Sequence, residues 1–235
     1  PNSIKSIGKY AFSNCTGLTY IRIPDSVTEI NDSAFSGCTG LTDITLPDSI
    51  TKIYKSAFYN TAYYNNESNW ENSVLYISNY LIDAKKDLFG RCIIKNGIKN
   101  IVDSAFENCD KLLYAEIPDS VTDIGISAFK GCTKLIEVKL SNNITCIGNS
   151  VFDSCRKITN IKIPDSVTNI GTKAFYGCSQ LTDITIPDSV TSIGQYAFSS
   201  CKSLTSIAIP NSVTGIGEYA FSNCDSLTSI AISNG

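Results

Sequence analysis

Apolar positions recur along this chain in a fixed phase. In the stretch LTDITIPDSVTSIGQYAFSSCKS, residues 181–203, Leu181, Ile184 and Ile186 are apolar at steps of three and two. The last step is strand alternation, with Asp183 and Thr185 facing the other way. Pro187 ends the strand, because it brings no N–H to the next rung of a ladder. Val190 and Ile193 predict a second short extended piece, and Gly194 allows a tight corner after it. Ala197, Phe198 and Cys201 then suit a helical or 3-10 turn with one inward face.

The same unit repeats. Cys15 and Cys38 stand 23 residues apart, as do Cys109, Cys132, Cys155, Cys178, Cys201 and Cys224 in series. Phe12, Phe35 and Phe58 keep the step, and so do Phe106, Phe129, Phe152, Phe175, Phe198 and Phe221. All seven prolines, from Pro1 to Pro210, share one slot. Phe58 and Phe106 are 48 apart, two periods plus two residues, so the chain reads as ten coils, nine of them regular. A unit this short cannot bury its inward face alone; stacked on its neighbours it can, which makes one continuous core.

The pattern LxxIxIPxSVTxIGxxAFxxCxx resembles the BspA-like leucine-rich repeat family of bacterial and protist surface proteins, over nearly the whole chain. The expected fold is a mostly-β α/β repeat solenoid with short helical or 3-10 turns. The resemblance implies a right-handed leucine-rich-repeat superhelix with a parallel sheet on its concave side. It also implies adhesion to host proteins or other cells, with no catalytic residues to carry over. The expected organisation is a single solenoid over 1–235, with regular coils at 1–64 and 89–235. The chain opens in mid-unit and stops just past a strand without polar caps, which suggests a piece of a longer protein.

One stretch breaks the pattern. Within residues 59–88, Thr61 takes a Cys slot and Tyr64 a Leu slot. Val74 to Ile77 and Tyr80 to Ala84 flank Ser78-Asn79, a hairpin signal, so 65–88 is an irregular hairpin-bearing unit. Register resumes with Phe89 to Ile94 aligned on Leu18 to Ile23, which places Phe89 in the inward leucine slot and turns Cys92 inward.

Composition narrows the chemistry. Hydrophobic residues make up 43% and charged residues 17%, enough apolar surface for a core. A net charge of −3 argues against a nucleic-acid partner. The absence of histidine removes Ser-His-Asp and Cys-His catalysis and His metal sites. No run reaches the length of a membrane span. Ten cysteines without CxxC spacing point to stacked buried thiols rather than to a metal site or disulfides. Cys146, outside the repeat slot, is the thiol expected at the surface. Asp25, Asp48, Asp119, Asp165 and Asp188 follow the prolines; they read as turn-forming residues in preference to a calcium edge. The serines next to them, such as Ser49 and Ser166, are expected to form a hydroxyl ladder between coils.

The outward positions of the LxxIxI strands are the best binding candidates: Tyr20, Arg22, Asp43, Arg91, Tyr114, Glu116, Glu137, Lys139, Asn160, Lys162 and Asp183. They vary where the repeat leaves them free to vary. An ordinary solvated face would carry the same charges. Tyr63, Tyr64, Trp70, Tyr76 and Tyr80 form an alternative aromatic patch for a glycan, or else a plug for the break in the solenoid. The expectation is a monomeric, non-enzymatic binding module without cofactor or metal, at the cell surface or secreted. Its expected partners are extracellular host or microbial surface proteins. A glycan-binding module or a structural spacer that presents another domain is the alternative.

Overall fold

The computed structural model describes residues 3–232. It is a mostly-β parallel solenoid of about ten turns with almost no helix. Most coils contribute a short piece to each of two parallel ladders. One ladder carries the LxxIxI pieces. Tyr20–Arg22 pairs with Asp43–Thr45, Gly90–Ile93 with Leu112–Glu116, Leu112–Glu116 with Glu137–Lys139, and Ser206–Ile209 with Ser229–Ile232. A single bridge, Asn160 to Asp183, continues it between these sets. The other ladder carries the SVTxI pieces, such as Ser6–Ile7, Glu29–Ile30 and Lys52–Ile53. The prolines stop the first strand and start a turn: the Pro24, Pro118, Pro164 and Pro187 carbonyls each accept from the N–H three residues on, at 3.0 Å.

The AFxxC segments are not helical turns. In Ser33 to Cys38, the N–H groups of Ser33, Phe35 and Gly37 cross to the next coil, at Lys55, Ala57 and Tyr59. Those of Ala34, Ser36 and Cys38 return to the carbonyl three residues back. This alternation needs left-handed backbone at Ser33 (φ 54°) and Gly37 (φ 76°), which breaks the run of dihedrals a helix requires. Non-glycine residues hold the first of these slots throughout, from Tyr10 to Tyr219. The expected i, i+1, i+4 inward face therefore comes from consecutive turns. The described residues contain only two short helices, Ala62–Asn65 and a 3-10 turn at Glu67–Asn69, both near the break.

Identical side chains stack because identical coils stack. Phenylalanine rings lie nearly parallel with centroids 5.2 to 5.5 Å apart from Phe12 to Phe58, and 4.7 to 5.6 Å apart from Phe106 to Phe221. The repeat thiols are free and mostly buried. They also donate: Cys132, Cys155, Cys178 and Cys201 each point Sγ at a phenylalanine carbonyl of the preceding coil, at 3.1 to 3.2 Å. The serine slot forms a ladder to backbone and not from hydroxyl to hydroxyl. Ser49, Ser166, Ser189 and Ser212 donate to Val27, Ile144, Val167 and Val190 carbonyls. The exposed thiol is Cys15, in the first coil, whereas Cys146 is only half-buried on its strand.

The irregular unit carries the expected hairpin, Val74–Ile77 against Tyr80–Ala84, antiparallel. Its second strand takes a place in the SVTxI ladder, with Tyr80 and Leu81 paired to Asn100 and Ile101. Both of its faces are apolar and buried. Leu75, Ile77, Tyr80 and Ile82 pack on the core of the first coils, and Val74, Tyr76, Leu81 and Ala84 pack on the core of the later ones. The Tyr80 hydroxyl donates to the Pro47 and Ile50 carbonyls at 2.8 and 2.9 Å. Beyond the hairpin, the expected register holds from Arg91 to Ile93, paired with Tyr114 to Glu116, and fails only at the leucine slot. Leu88 is buried and Phe89 is 76% exposed. The pairing slips between Leu112 and Tyr114, where that strand sets one more residue against Gly90 and Arg91, and from Arg91 onward the faces are those expected. Cys92 does turn inward.

Three predictions follow from this packing. Phe152→Ala, in the middle of a ring stack and fully buried, should cost about 3–5 kcal/mol in urea unfolding. Phe12→Ala, 42% exposed and stacked on one side, should cost clearly less. Burial pushes the Cys92 thiol up to about 11, and the Cys109 thiol and Tyr80 phenol up to about 12, from ordinary values of 9.0 and 10.0. The fold thus favours the protonated forms. That stability is full below about pH 9 and is lost as pH rises through about 11 to 12, so the urea midpoint should fall across this range. At neutral pH a thiol reagent should modify Cys15 first.

Candidate binding face

The LxxIxI ladder sets the outward side chains side by side. Register puts Tyr20 beside Asp43, Arg22 beside Thr45, and Arg91, Tyr114 and Glu137 in one row. Ile93, Glu116 and Lys139 form the next row. Neighbouring strands lie about 4.8 Å apart, so long side chains in a row must touch or repel.

Four of the predicted residues form one connected cluster. The Arg91 guanidinium lies over the Tyr114 ring, 4.1 Å from its centroid. Glu116 accepts from Lys139 at 2.8 Å, from the Tyr114 hydroxyl at 3.3 Å, and from Arg91 at 3.4 Å. The Lys139 hydrogen bond, helped by Arg91, holds the Glu116 carboxyl below the usual carboxylate range. Glu116 in turn raises the Lys139 ammonium above its ordinary value. The cluster is a surface arrangement of fixed charge and ring, and its ion pairs do little for stability. Its use is to hold an arginine, an aromatic ring and a lysine in one geometry.

The other predicted residues stand apart from this cluster. Tyr20 is 70% exposed. Arg22, Asp43, Glu137, Lys162 and Asp183 make no ion pair among the described residues. Asn160, Lys162 and Asp183 line a shallow groove of about 380 Å³ where the ladder thins to one bridge. Next to the cluster the face is apolar. Ile93 is 61% exposed, and Phe89 stands beside it on the rim of a cavity of about 460 Å³ that also includes Glu71, Tyr76 and Lys95. Sequence reasoning missed Phe89 because it assigned the inward slot to the aromatic residue. The signal was the preceding Leu88, a second apolar residue able to fill that slot.

Only part of the aromatic patch reaches the surface: Tyr63, Tyr64 and Trp70 are half-buried, and Tyr64 packs edge-on against Trp70 at 5.1 Å. Tyr76 and Tyr80 are buried inside the hairpin wall. Tyr63 donates to the Tyr76 carbonyl, Tyr64 to Asp83 and the Trp70 indole N–H to the Tyr64 carbonyl. Burial raises the Tyr64 and Tyr76 phenols well above their ordinary value. These rings seal the break, and their polar tips are spent inside it. The post-proline carboxylates act in turns and pairs: Asp119 accepts from the Asn142 N–H at 2.8 Å, and Asp48 from Asn79 at 2.8 Å. Among the described residues no group of three or more His, Cys, Asp or Glu could hold a metal ion. No helix among them is long and apolar enough to cross a membrane.

Comparison with known proteins agrees with this architecture. No protein of curated function is similar. A leucine-rich cell surface protein from Faecalibacterium prausnitzii is 29% identical over 99% of this chain and 70% of its own, with a TM-score of 0.55. A Treponema pallidum leucine-rich repeat protein is 26% identical over 71% of this chain and 81% of its own, with a TM-score of 0.63. A leucine-rich repeat protein from Bacteroides ovatus is 26% identical over 98% of this chain and 64% of its own, with a TM-score of 0.53. The family model of the BspA type leucine-rich repeat region matches six copies, over residues 1–88, 62–182 and 169–235. With its 23-residue coils, stacked phenylalanines and parallel ladders, this chain belongs to the BspA-type leucine-rich repeat family.

Proposed function

We propose that the chain is a non-enzymatic binding module that grips an extracellular protein through its LxxIxI face. The carrying observation is the company that face keeps. Phe89 and Ile93 remain exposed beside the Arg91–Tyr114–Glu116–Lys139 cluster. Burying large apolar side chains drives association, and preset arginine and tyrosine groups are the usual anchors of such interfaces. In this reading the solenoid winds right-handed and the LxxIxI face is concave. A flat row of outward side chains without an enclosed acid–base pair suits recognition better than catalysis. A location at the cell surface or in the surrounding medium follows the likeness to the Faecalibacterium cell surface protein.

The test is a binding screen against extracellular-matrix and plasma proteins and a glycan panel. The double variant Phe89→Ser, Arg91→Ala should weaken capture of any protein ligand by about tenfold or more, measured by biolayer interferometry, with an unchanged melting temperature. Trp70→Phe should leave it unchanged, because the Trp70 N–H is already spent on Tyr64. Binding that survives the double variant, or that fails with Trp70→Phe, would overturn the reading.

A further inference from the structure

Between the third coil and the coil of Phe106, the backbone ladder of the AFxxC turns is left open. At regular junctions three N–H groups per turn cross to the next coil. Ser33, Phe35 and Gly37 do so at 3.2, 2.8 and 2.9 Å, and Ser104, Phe106 and Asn108 at 2.9, 2.7 and 2.7 Å. The matching groups of the third coil, the N–H of Ser56, Phe58 and Asn60, have no hydrogen-bond partner among the described residues. The hairpin is the reason. It supplies a strand to the SVTxI ladder but no AFxxC turn, and in the phenylalanine column it places only Ala84, whose N–H bonds the Ala105 carbonyl at 2.9 Å.

The result is a cleft of about 420 Å³ beside this open edge. Its floor includes the buried apolar side chains of Ala57, Ile82 and Val102, and Tyr59 and Tyr64 stand among its walls. Its two ammonium groups are already neutralised, Lys55 by Glu107 at 2.5 Å and Lys86 by Asp83 at 3.5 Å. The cleft therefore offers no net cation to an anionic ligand. It offers three N–H donors at every second residue, the interval at which the carbonyls of the next AFxxC turn accept at every regular junction.

We propose that this cleft takes a peptide segment of a partner protein folded as an AFxxC turn. Its backbone carbonyls accept from the Ser56, Phe58 and Asn60 N–H groups, and a small apolar side chain rests on Ala57, Ile82 and Val102. This completes from outside the junction that each regular coil makes with the next. The site shares no residue with the LxxIxI face, so the two can be occupied or lost separately.

The test is residue-resolved amide hydrogen exchange on the full 235-residue chain. The probes are synthetic peptides that copy residues 171–180, the same turn in a regular coil, with Cys178→Ser and with Phe175 kept or changed to Ala or Val. In the free protein Ser56, Phe58 and Asn60 should exchange faster than Ser33, Phe35 and Gly37. A saturating peptide should slow the first three by about tenfold or more and leave the second three unchanged. The proposal is overturned if the three open amides are as protected as their counterparts in the free protein, or if no peptide slows them. Protection by an oligosaccharide panel and by none of the peptides would also overturn it, and would assign the cleft to a glycan.

Discussion

Everything in this molecule depends on the phase of the backbone bonds between coils. Each coil gives N–H groups to the next in its strands and in its AFxxC turn, and those bonds hold only if the same slot recurs every 23 residues. Once that phase is kept, like side chains meet like side chains without further instruction. Rings face rings, threonine hydroxyls reach the backbone one coil away, and thiols reach phenylalanine carbonyls. The columns are a consequence of the register and then reinforce it, since a slip in one coil would break all of them together.

The hairpin shows how a phase error is absorbed. The distance from Phe58 to Phe106 exceeds two periods by two residues, so a regular coil could not fill it. An antiparallel pair can, because alternate residues on each strand point to opposite sides. The run VLYI is apolar at every position, as a strand buried on both faces requires, and the structure gives its odd and even residues to different cores. The aromatic residues around it serve the same end. The Tyr80 hydroxyl reaches the Pro47 and Ile50 carbonyls of the third coil with its one proton, and Trp70, Tyr63 and Tyr64 bond to backbone or to Asp83.

Much of this was legible in the residues. The repeat, the two ladders, the stacked thiols, the hairpin and the inward Cys92 all come from spacing, because spacing is what the stack enforces. Three features were not. The AFxxC segment looks helical because apolar residues at i, i+1 and i+4 do not distinguish a helix from alternating turns. Only the left-handed slots separate them, and here these hold serine, asparagine, tyrosine or lysine far more often than glycine. Phe89 was misplaced because pattern alone does not say which of two adjacent apolar residues a slipped strand will bury. The Tyr76 and Tyr80 rings stayed between a surface patch and a plug because aromatic content says nothing about which face of a hairpin is wet. On the LxxIxI face the sequence named Arg91, Tyr114, Glu116 and Lys139 separately. Their joining through one carboxylate is a matter of side-chain reach, which the register permits and does not dictate.

The wall between the two cores also divides the molecule in a way its uniform coils do not suggest. A solenoid of equal coils has no preferred place to come apart. Here the hairpin's two faces belong to different buried clusters, and of the later coils only Val102 joins the cluster of the first ones. The two ends thus meet at a partition of different make from the coils on either side, tied across by Asn100 to the Thr51 carbonyl and by the Lys55–Glu107 and Lys99–Asp48 pairs.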